Sequence, residues 1–225
     1  MAHAGCHNAW AARQRERHMN LEQRLHQGIT ELGLDLPPST EPKLIQYLQL
    51  LAKWNQAYNL TAVRDLDEMV TRHLLDSLAV LPYLQGPRVL DVGTGAGLPG
   101  IPLAVARPEL AFTLLDANAK KTRFVTQAVG ELALKNVEVV QSRAENYRPS
   151  QKFDTLVSRA FASIADMLEF TRHLCAPHAR ILAMKGVYPE EELAAVATEC
   201  AAEVVALKVP GLEAERHLAI LTRRL

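Results

Sequence analysis

The stretch VLDVGTGAGLPG, Val89 to Gly100, constrains this chain more than any other. An apolar run that breaks into glycines is the pattern of a strand turning sharply into a helix over a ligand. A Cβ at such a turn would clash at positive φ or keep the ligand from the backbone. Gly93, Gly95 and Gly97 all meet that need. A literal G-x-G-x-x-G runs from Gly95 to Gly100, but it begins two residues late, and in the register that starts at Gly93 the third glycine is replaced by Leu98. A lone match of this kind is weak evidence for a dinucleotide. Charge separates the readings further. A pyrophosphate favours bare backbone N–H groups and the positive end of a helix, whereas Asp91, two residues before the first glycine, would repel it. An acid there suits a ligand with an ammonium group and a sulfonium, S-adenosylmethionine. Asp91 also reads as a strand-end carboxylate capping local N–H groups, and the two roles can coexist.

The glycine turn sits inside a change of period. Before it, the apolar residues recur at helical spacing. Asn20 with Gln23 has the form of a capping box ahead of Leu21, Leu25, Ile29 and Leu32, and Gly33 supplies a stop. Ser39 or Thr40, followed by Pro42, opens a second helix with its stripe at Leu44, Tyr47, Leu48, Leu51, Trp54 and Tyr58, and a third runs from about Asp65 to Leu81. After Pro87 short apolar runs alternate with helical segments, as a parallel sheet with crossover helices requires. Strands are expected at Arg88–Val92, Ala111–Leu115, Val137–Val140, Phe153–Ser158 and Ala179–Met184, with two more near Glu203–Lys208 and His217–Thr222. The turn-forming Pro210-Gly211 between the last two leaves no room for a helix, so that pair must be antiparallel. The expectation is an α/β, Rossmann-like, mostly parallel seven-stranded sheet whose antiparallel C-terminal hairpin is the ending of a class I methyltransferase sheet. The division expected is a leader over 1–18, a helical subdomain over 19–86 and the sheet domain over 87–225.

Composition sets broad limits. A chain of 225 residues, 48% hydrophobic, can bury a sizeable core. Lys plus Arg equals Asp plus Glu at 25 each, so affinity for nucleic acid must come from a local patch. Three cysteines, Cys6, Cys175 and Cys200, without paired spacing fit a reducing compartment, with the cytoplasm as the default. The longest stretch free of Asp, Glu, Lys and Arg, Val92 to Ala106, is broken by glycines and prolines and is short of the roughly 18 residues a membrane span needs. Residues 1–18 carry Arg13, Arg15 and Arg17 without an apolar core after them, which reads as a disordered leader or an upstream start with Met19 as the alternative initiator.

Asp116 ends the second strand, where an acid can accept both hydroxyls of a ribose, a feature common to NAD and S-adenosylmethionine sites. In QSRAENY, Ala144 and Glu145 fall where an adenine should lie, although Glu145 reads equally well as a solvated helix-start acid. Two base-methylation chemistries are disfavoured. No Pro-Cys or Thr-Cys pair follows the fourth or fifth strand to supply the nucleophile for methylating a base carbon. SRAF, in turn, stands where amino-directed methylation shows an Asp/Asn-Pro-Pro-aromatic motif. A ring nitrogen with a free lone pair, such as guanine N7, needs no general base; in-line positioning would supply most of the acceleration. Arg159 and Lys185, at the carboxyl ends of strands, are placed to hold phosphate or a guanine edge. Between Leu110 and Ala160 there are eight Lys/Arg against five Asp/Glu, with Lys120, Lys121, Arg123 and Arg143 among them. Lys121 and Arg123 singly read better as solvated helix residues.

Smaller signals have bland alternatives. Asn55 and Asn59 lie one turn apart and present amides to a base edge or the cofactor rim, or else Asn59 caps its helix. His73 and Asp76 share a helix face, and a buried, hydrogen-bonded histidine is the better reading of the first. His173, Cys175 and His178 lack a fourth ligand, so no metal site is expected. Trp10 and Trp54 read as leader or core.

Taken together, KWNQAYNLTAVRD, RHLLDS, DVGTGAGLPGIPLA, LLDANAKK, QSRAE, VSRAFAS, MKG and GLEAERHLAI resemble, in order and spacing, the glucose-inhibited division protein B family of bacterial guanine-N7 methyltransferases of small-subunit ribosomal RNA. The similarity runs from about Asn20 to the C-terminus. It implies transfer of a methyl group from S-adenosylmethionine, leaving S-adenosylhomocysteine, to N7 of a guanine in the 530 loop of 16S rRNA, free or within the 30S subunit or its precursor, by a monomer without metal. It further implies that Gly93, Gly95, Gly97 and Leu98 line the methionine and ribose side of the cofactor, Asp116 the ribose, and Ala144 and Glu145 the adenine. Arg159 would lie between cofactor and RNA with Lys185 beside it. An NAD-dependent oxidoreductase and a non-catalytic rRNA-binding assembly factor on the same scaffold are the alternatives.

Overall fold

The computed structural model describes residues 20–159, 161 and 163–224. The leader expected over 1–18, with Cys6, Trp10 and the alternative start Met19, lies outside the described residues.

Helix α1 (Leu21–Glu31) begins with the capping box: the Asn20 side chain accepts from Gln23 N at 2.8 Å and Gln23 returns a bond to Asn20 N. Its end closes on Gly33, at φ +67°, with Leu34 N bonding back to Ile29 O. Helix α2 (Thr40–Tyr58) buries Leu44, Tyr47, Leu48 and Leu51 and stops at Asn59, which adopts the left-handed conformation. Helix α3 runs as Leu66–Met69, Val70–Leu75 and Asp76–Leu78, and its middle segment is π-helical. The sequence predicted an ordinary helix there. The wider turn brings Arg72, His73 and Asp76 to the wall of one cavity, in keeping with the tendency of π-segments to occur at functional sites.

The sheet comprises β1 (Arg88–Val92), β2 (Ala111–Asp116), β3 (Val137–Gln141), β4 (Phe153–Ser158), β5 (Cys175–Lys185), β6 (Cys200–Ala206) and β7 (His217–Arg223). Between the strands lie α4 (Gly100–Ala106), α5 (Ala119–Glu131), α6 (Ile164–Thr171) and α7 (Glu190–Val196). The strand order is β3-β2-β1-β4-β5-β7-β6, with β1 to β5 parallel and β7 antiparallel to both neighbours. The seven-stranded sheet with an antiparallel ending is therefore observed. The largest differences from expectation are that β5 begins at Cys175 rather than Ala179 and that β6 spans Cys200–Ala206 rather than Glu203–Lys208, with Ala206 facing His217 in the hairpin.

Strand alternation divides the core. Val89, Phe112, Leu114, Val157, Leu182 and Leu218 pack with the apolar faces of α1 to α5 in one cluster. Leu90, Val92, Leu115, Leu156, Ile181 and Ala183 pack with α6 and Val196 of α7 in the other. The N-terminal helices thus share a core with the sheet. No described helix is long and apolar enough to cross a membrane.

Candidate active site

The glycine turn is fixed from four sides. Gly93 N and Thr94 N donate to Leu115 O at 2.8 and 3.0 Å, Gly95 N donates to Asp116 Oδ2 at 2.9 Å, and the Ser158 hydroxyl donates to Val92 O at 2.7 Å. From the helical layer, Tyr47 Oη donates to Ala96 O at 2.7 Å. Gly93, at φ +71°, would direct a Cβ into open space, so the backbone there is bare toward a ligand. A Cβ on Gly100 would run into Leu114 and stand 2.7 Å from Asp91 Oδ2.

Asp91 requires a correction. β-alternation places it on the face of Val89, beneath α4, and it is 0% exposed. Its Oδ2 accepts from Thr94 Oγ1 at 2.6 Å and from Gly100 N at 2.8 Å, while its other oxygen, equally buried, has no hydrogen-bond partner among the described residues. It lines neither cavity described below. The carboxylate staples the turn to the start of α4; it does not stand at the mouth of the loop to meet a ligand's charge. Burial raises its pKa to about 6, with the bonds from Thr94 and Gly100 opposing the rise.

At the carboxyl ends of β1 to β3 a cavity of about 400 Å³ is walled by Gly93, Asp116, Ser142, Ala144 and Glu145, with the rings of Phe161 and Phe170 across from them. Asp116 is 8% exposed, and each of its oxygens accepts one backbone N–H, Oδ2 from Gly95 and Oδ1 from Asn118 at 2.8 Å. A carboxylate oxygen has room for a second donor, so both remain able to accept a vicinal diol. Glu145 is half-buried, 3.9 Å from Arg143 on the exposed rim. Phe161 and Phe170, ring centroids 6.4 Å apart, supply an apolar wall that sequence reasoning missed, although SRAF contains Phe161. Leu98 is buried in the core beneath the turn, and neither it, Gly95 nor Gly97 is on the cavity wall. A bare glycine, a diol-accepting acid and an aromatic wall at one cavity fit the nucleoside part of S-adenosylmethionine.

A second cavity, of about 320 Å³, lies at the carboxyl ends of β4 and β5 against α3, lined by Arg72, His73, Asp76, Arg159, Lys185 and Arg216 among others. Asp76, 2% exposed, accepts from Arg216 Nε at 3.0 Å and lies 3.5 Å from Arg159 Nη1, which also donates to Arg72 O at 3.1 Å. Burial raises the Asp76 pKa, and the two guanidiniums oppose that rise. Lys185 lines the cavity with its Nζ 2.8 Å from Glu192 Oε2, a contact that takes one of the three donors of its ammonium group. His73 is buried, as expected, with Nε2 2.9 Å from Thr61 Oγ1. Desolvation, aided by the Arg159 charge, lowers its pKa to about 4, which keeps it neutral at pH 7.

The remaining residues expected to face RNA scatter. Asn55 needs a correction: it is 3% exposed and its amide is occupied on both sides, donating to Val63 O at 3.2 Å and accepting from Thr61 N at 2.9 Å. It shapes the loop behind His73 and presents nothing to a base. Asn59 is the helix cap, and its side chain accepts from Arg64. Lys120 is exposed at the start of α5 and lines neither cavity; Arg143 belongs to the rim of the first. Only Arg159 and Lys185 of that set come together. Arg216 joins them from just before β7, a residue sequence reasoning left inside a motif without a role. His173 bonds to Tyr147 O, Cys175 is a buried free thiol, and the described residues contain no metal-holding group of three or more His, Cys, Asp or Glu.

A family model described as GidB, rRNA small subunit methyltransferase G, matches residues 40–219. Over 207 residues the chain is 53% identical to the ribosomal RNA small subunit methyltransferase G of Laribacter hongkongensis, covering 92% of this chain and 100% of that protein. It is 56% identical over 201 residues to the protein of the same name from Pseudomonas aeruginosa, covering 88% and 94%. Among solved structures, a SAM dependent methyltransferase from Aquifex aeolicus has the same fold, with a TM-score of 0.52 and 22% identity over 68% of this chain and 91% of that one.

Proposed function

This chain belongs to the GidB family, rRNA small subunit methyltransferase G, and we propose that it transfers a methyl group from S-adenosylmethionine to N7 of a guanine in the 530 loop of 16S rRNA. The substrate is the 30S subunit or its precursor, and the protein acts as a cytoplasmic monomer. The observation that carries this reading is the adjacency of two unlike cavities across the carboxyl ends of β1 to β5, one shaped for a nucleoside and the other rich in cations.

S-adenosylmethionine supplies an electrophilic methyl group. Toward it, Asp116 would accept the ribose hydroxyls, Ala144 and Glu145 would lie along the adenine with Phe161, and the bare backbone at Gly93 would admit the chain between ribose and sulfur. Guanine N7 offers a free lone pair, so no proton has to leave, and among the cavity residues His73 is neutral and bonded to Thr61. What this protein has to provide is alignment, for which well-oriented reactants gain several kcal/mol of barrier. Arg159 and Lys185, both on the wall of the second cavity, are the positioning cations, as donors to phosphate oxygens or to the guanine edge.

Labelled S-adenosylmethionine incubated with this protein and under-methylated 30S subunits should place label at a single guanine, blocked at N7; absence of transfer to any ribosomal particle sinks the proposal. A thermal shift with S-adenosylhomocysteine but not NADH is expected, since a ligand bound only by the folded state raises apparent stability by mass action. Stabilisation by NADH alone would favour the oxidoreductase reading, and rRNA binding without cofactor affinity the assembly factor.

A further inference from the structure

Within the cationic cavity the one buried acid is out of keeping with a surface meant only to attract RNA. Arg72, Arg159, Lys185 and Arg216 would draw phosphate by charge alone, and an acid among them weakens that pull. Asp76 is nevertheless 2% exposed and joined to two of the four. Its partners come from separate parts of the chain, Arg159 from the end of β4 and Arg216 from the residue before β7, and the acid itself from the helix whose π-segment ends immediately before it. Two guanidiniums of like charge do not hold each other in place. A carboxylate between them does, and it contacts each at one edge: Nε of Arg216 and Nη1 of Arg159. Their side chains are 24% and 28% exposed, so part of each still reaches the cavity. Buried ion pairs give little net stability once desolvation is counted, so fixed geometry is the better account of this one.

We infer that Asp76 is a positioning residue which holds Arg159 and Arg216 as a rigid pair of donors facing the RNA base to be methylated, with Arg216 a third cation of that site beside Arg159 and Lys185. The inference rests on the proposed reaction and deepens it. It assigns Asp76 no contact with RNA and no proton to move.

The test compares full-length wild type with Asp76→Asn, Asp76→Glu and Arg216→Lys. The measurements are single-turnover methyl transfer at saturating under-methylated 30S subunits, 30S binding as a function of salt, and S-adenosylhomocysteine affinity. Asp76→Asn removes a negative charge, so 30S binding should be unchanged or tighter while transfer falls on the order of 10- to 100-fold, the effect of misplacing a reacting group by about 1 Å. Cofactor affinity should stay at the wild-type value. Asp76→Glu keeps the charge and should give an intermediate rate. Arg216→Lys keeps the cation and loses the planar fork, so it should also lower the rate without weakening binding; it decides the question if Asp76→Asn fails to fold. A wild-type transfer rate in Asp76→Asn or Arg216→Lys, or a loss that lies wholly in 30S binding, overturns the inference. Failure of the wild-type protein itself to methylate 30S subunits would instead remove the underlying reaction, so the two failures are distinguishable.

Discussion

The Tyr47 hydroxyl of α2 donates to the Ala96 carbonyl at 2.7 Å, in a buried contact that fastens the helical layer directly to the glycine turn. The layer therefore does more than cover one face of the sheet: it fixes the loop on which cofactor binding is proposed to depend. Tyr47→Phe keeps the ring against Phe124 but strands a buried carbonyl. The expected cost is about 1–3 kcal/mol of stability, measured by urea unfolding, together with weaker S-adenosylhomocysteine binding by calorimetry.

Gly100→Ala tests the seat of α4. The added methyl would collide with Leu114 and press on Asp91 Oδ2 at the point where Asp91 accepts from the Gly100 N–H. Overpacking of this kind costs roughly 1–3 kcal/mol. A mutant as stable as wild type in urea would show that the turn yields more readily than its hydrogen bonds indicate.

Two buried titrating groups give opposed pH dependences. Asp91 has a folded pKa of about 6 against an ordinary 3.8, so the unfolded chain ionises first. The contribution of Asp91 is fully present below about pH 4 and is lost as pH rises through 6, by about 3 kcal/mol. His73 has a folded pKa of about 4 against 6.5; its contribution is fully present above 6.5 and is lost as pH falls toward 4. In wild type the two slopes largely offset each other between pH 4 and 6. His73→Asn should expose the falling slope and Asp91→Asn the rising one, read from urea midpoints at each pH. Parallel profiles in the two variants would contradict this.

Asn55→Ala should separate support from contact. It leaves Thr61 N and Val63 O without their partner, which costs about 1–3 kcal/mol. Because the amide faces no cavity, the slope of 30S affinity against salt, which counts phosphate contacts, should match wild type. A shallower slope would restore Asn55 to the RNA surface.

How much of this could be read beforehand depends on the range of the interaction. The capping box at Asn20 and Gln23 and the strands β1 and β4 were legible because each is a pattern of adjacent residues. The local role of Asp91 was legible too, as a strand-end carboxylate capping nearby N–H groups, but its charge suggested a further role toward the ligand that its burial denies it. The π-segment of α3 was hidden because VTRHLL has the same apolar spacing as an ordinary helix. The meeting of Asp76 with Arg216 was out of reach of any local pattern: the two are 140 positions apart, and the placement of β7 between β5 and β6 that joins them is a choice among long-range pairings.

That placement leaves β6 attached to the rest of the sheet by one neighbour only, β7. The last two strands thus open in a fixed hierarchy: β6 can detach while β7 stays, whereas loss of β7 must release both. Amide protons of Cys200–Ala206 that bond to β7 are therefore expected to exchange with solvent faster than the amides that tie His217–Arg223 to β5, since the smaller opening frees only the former.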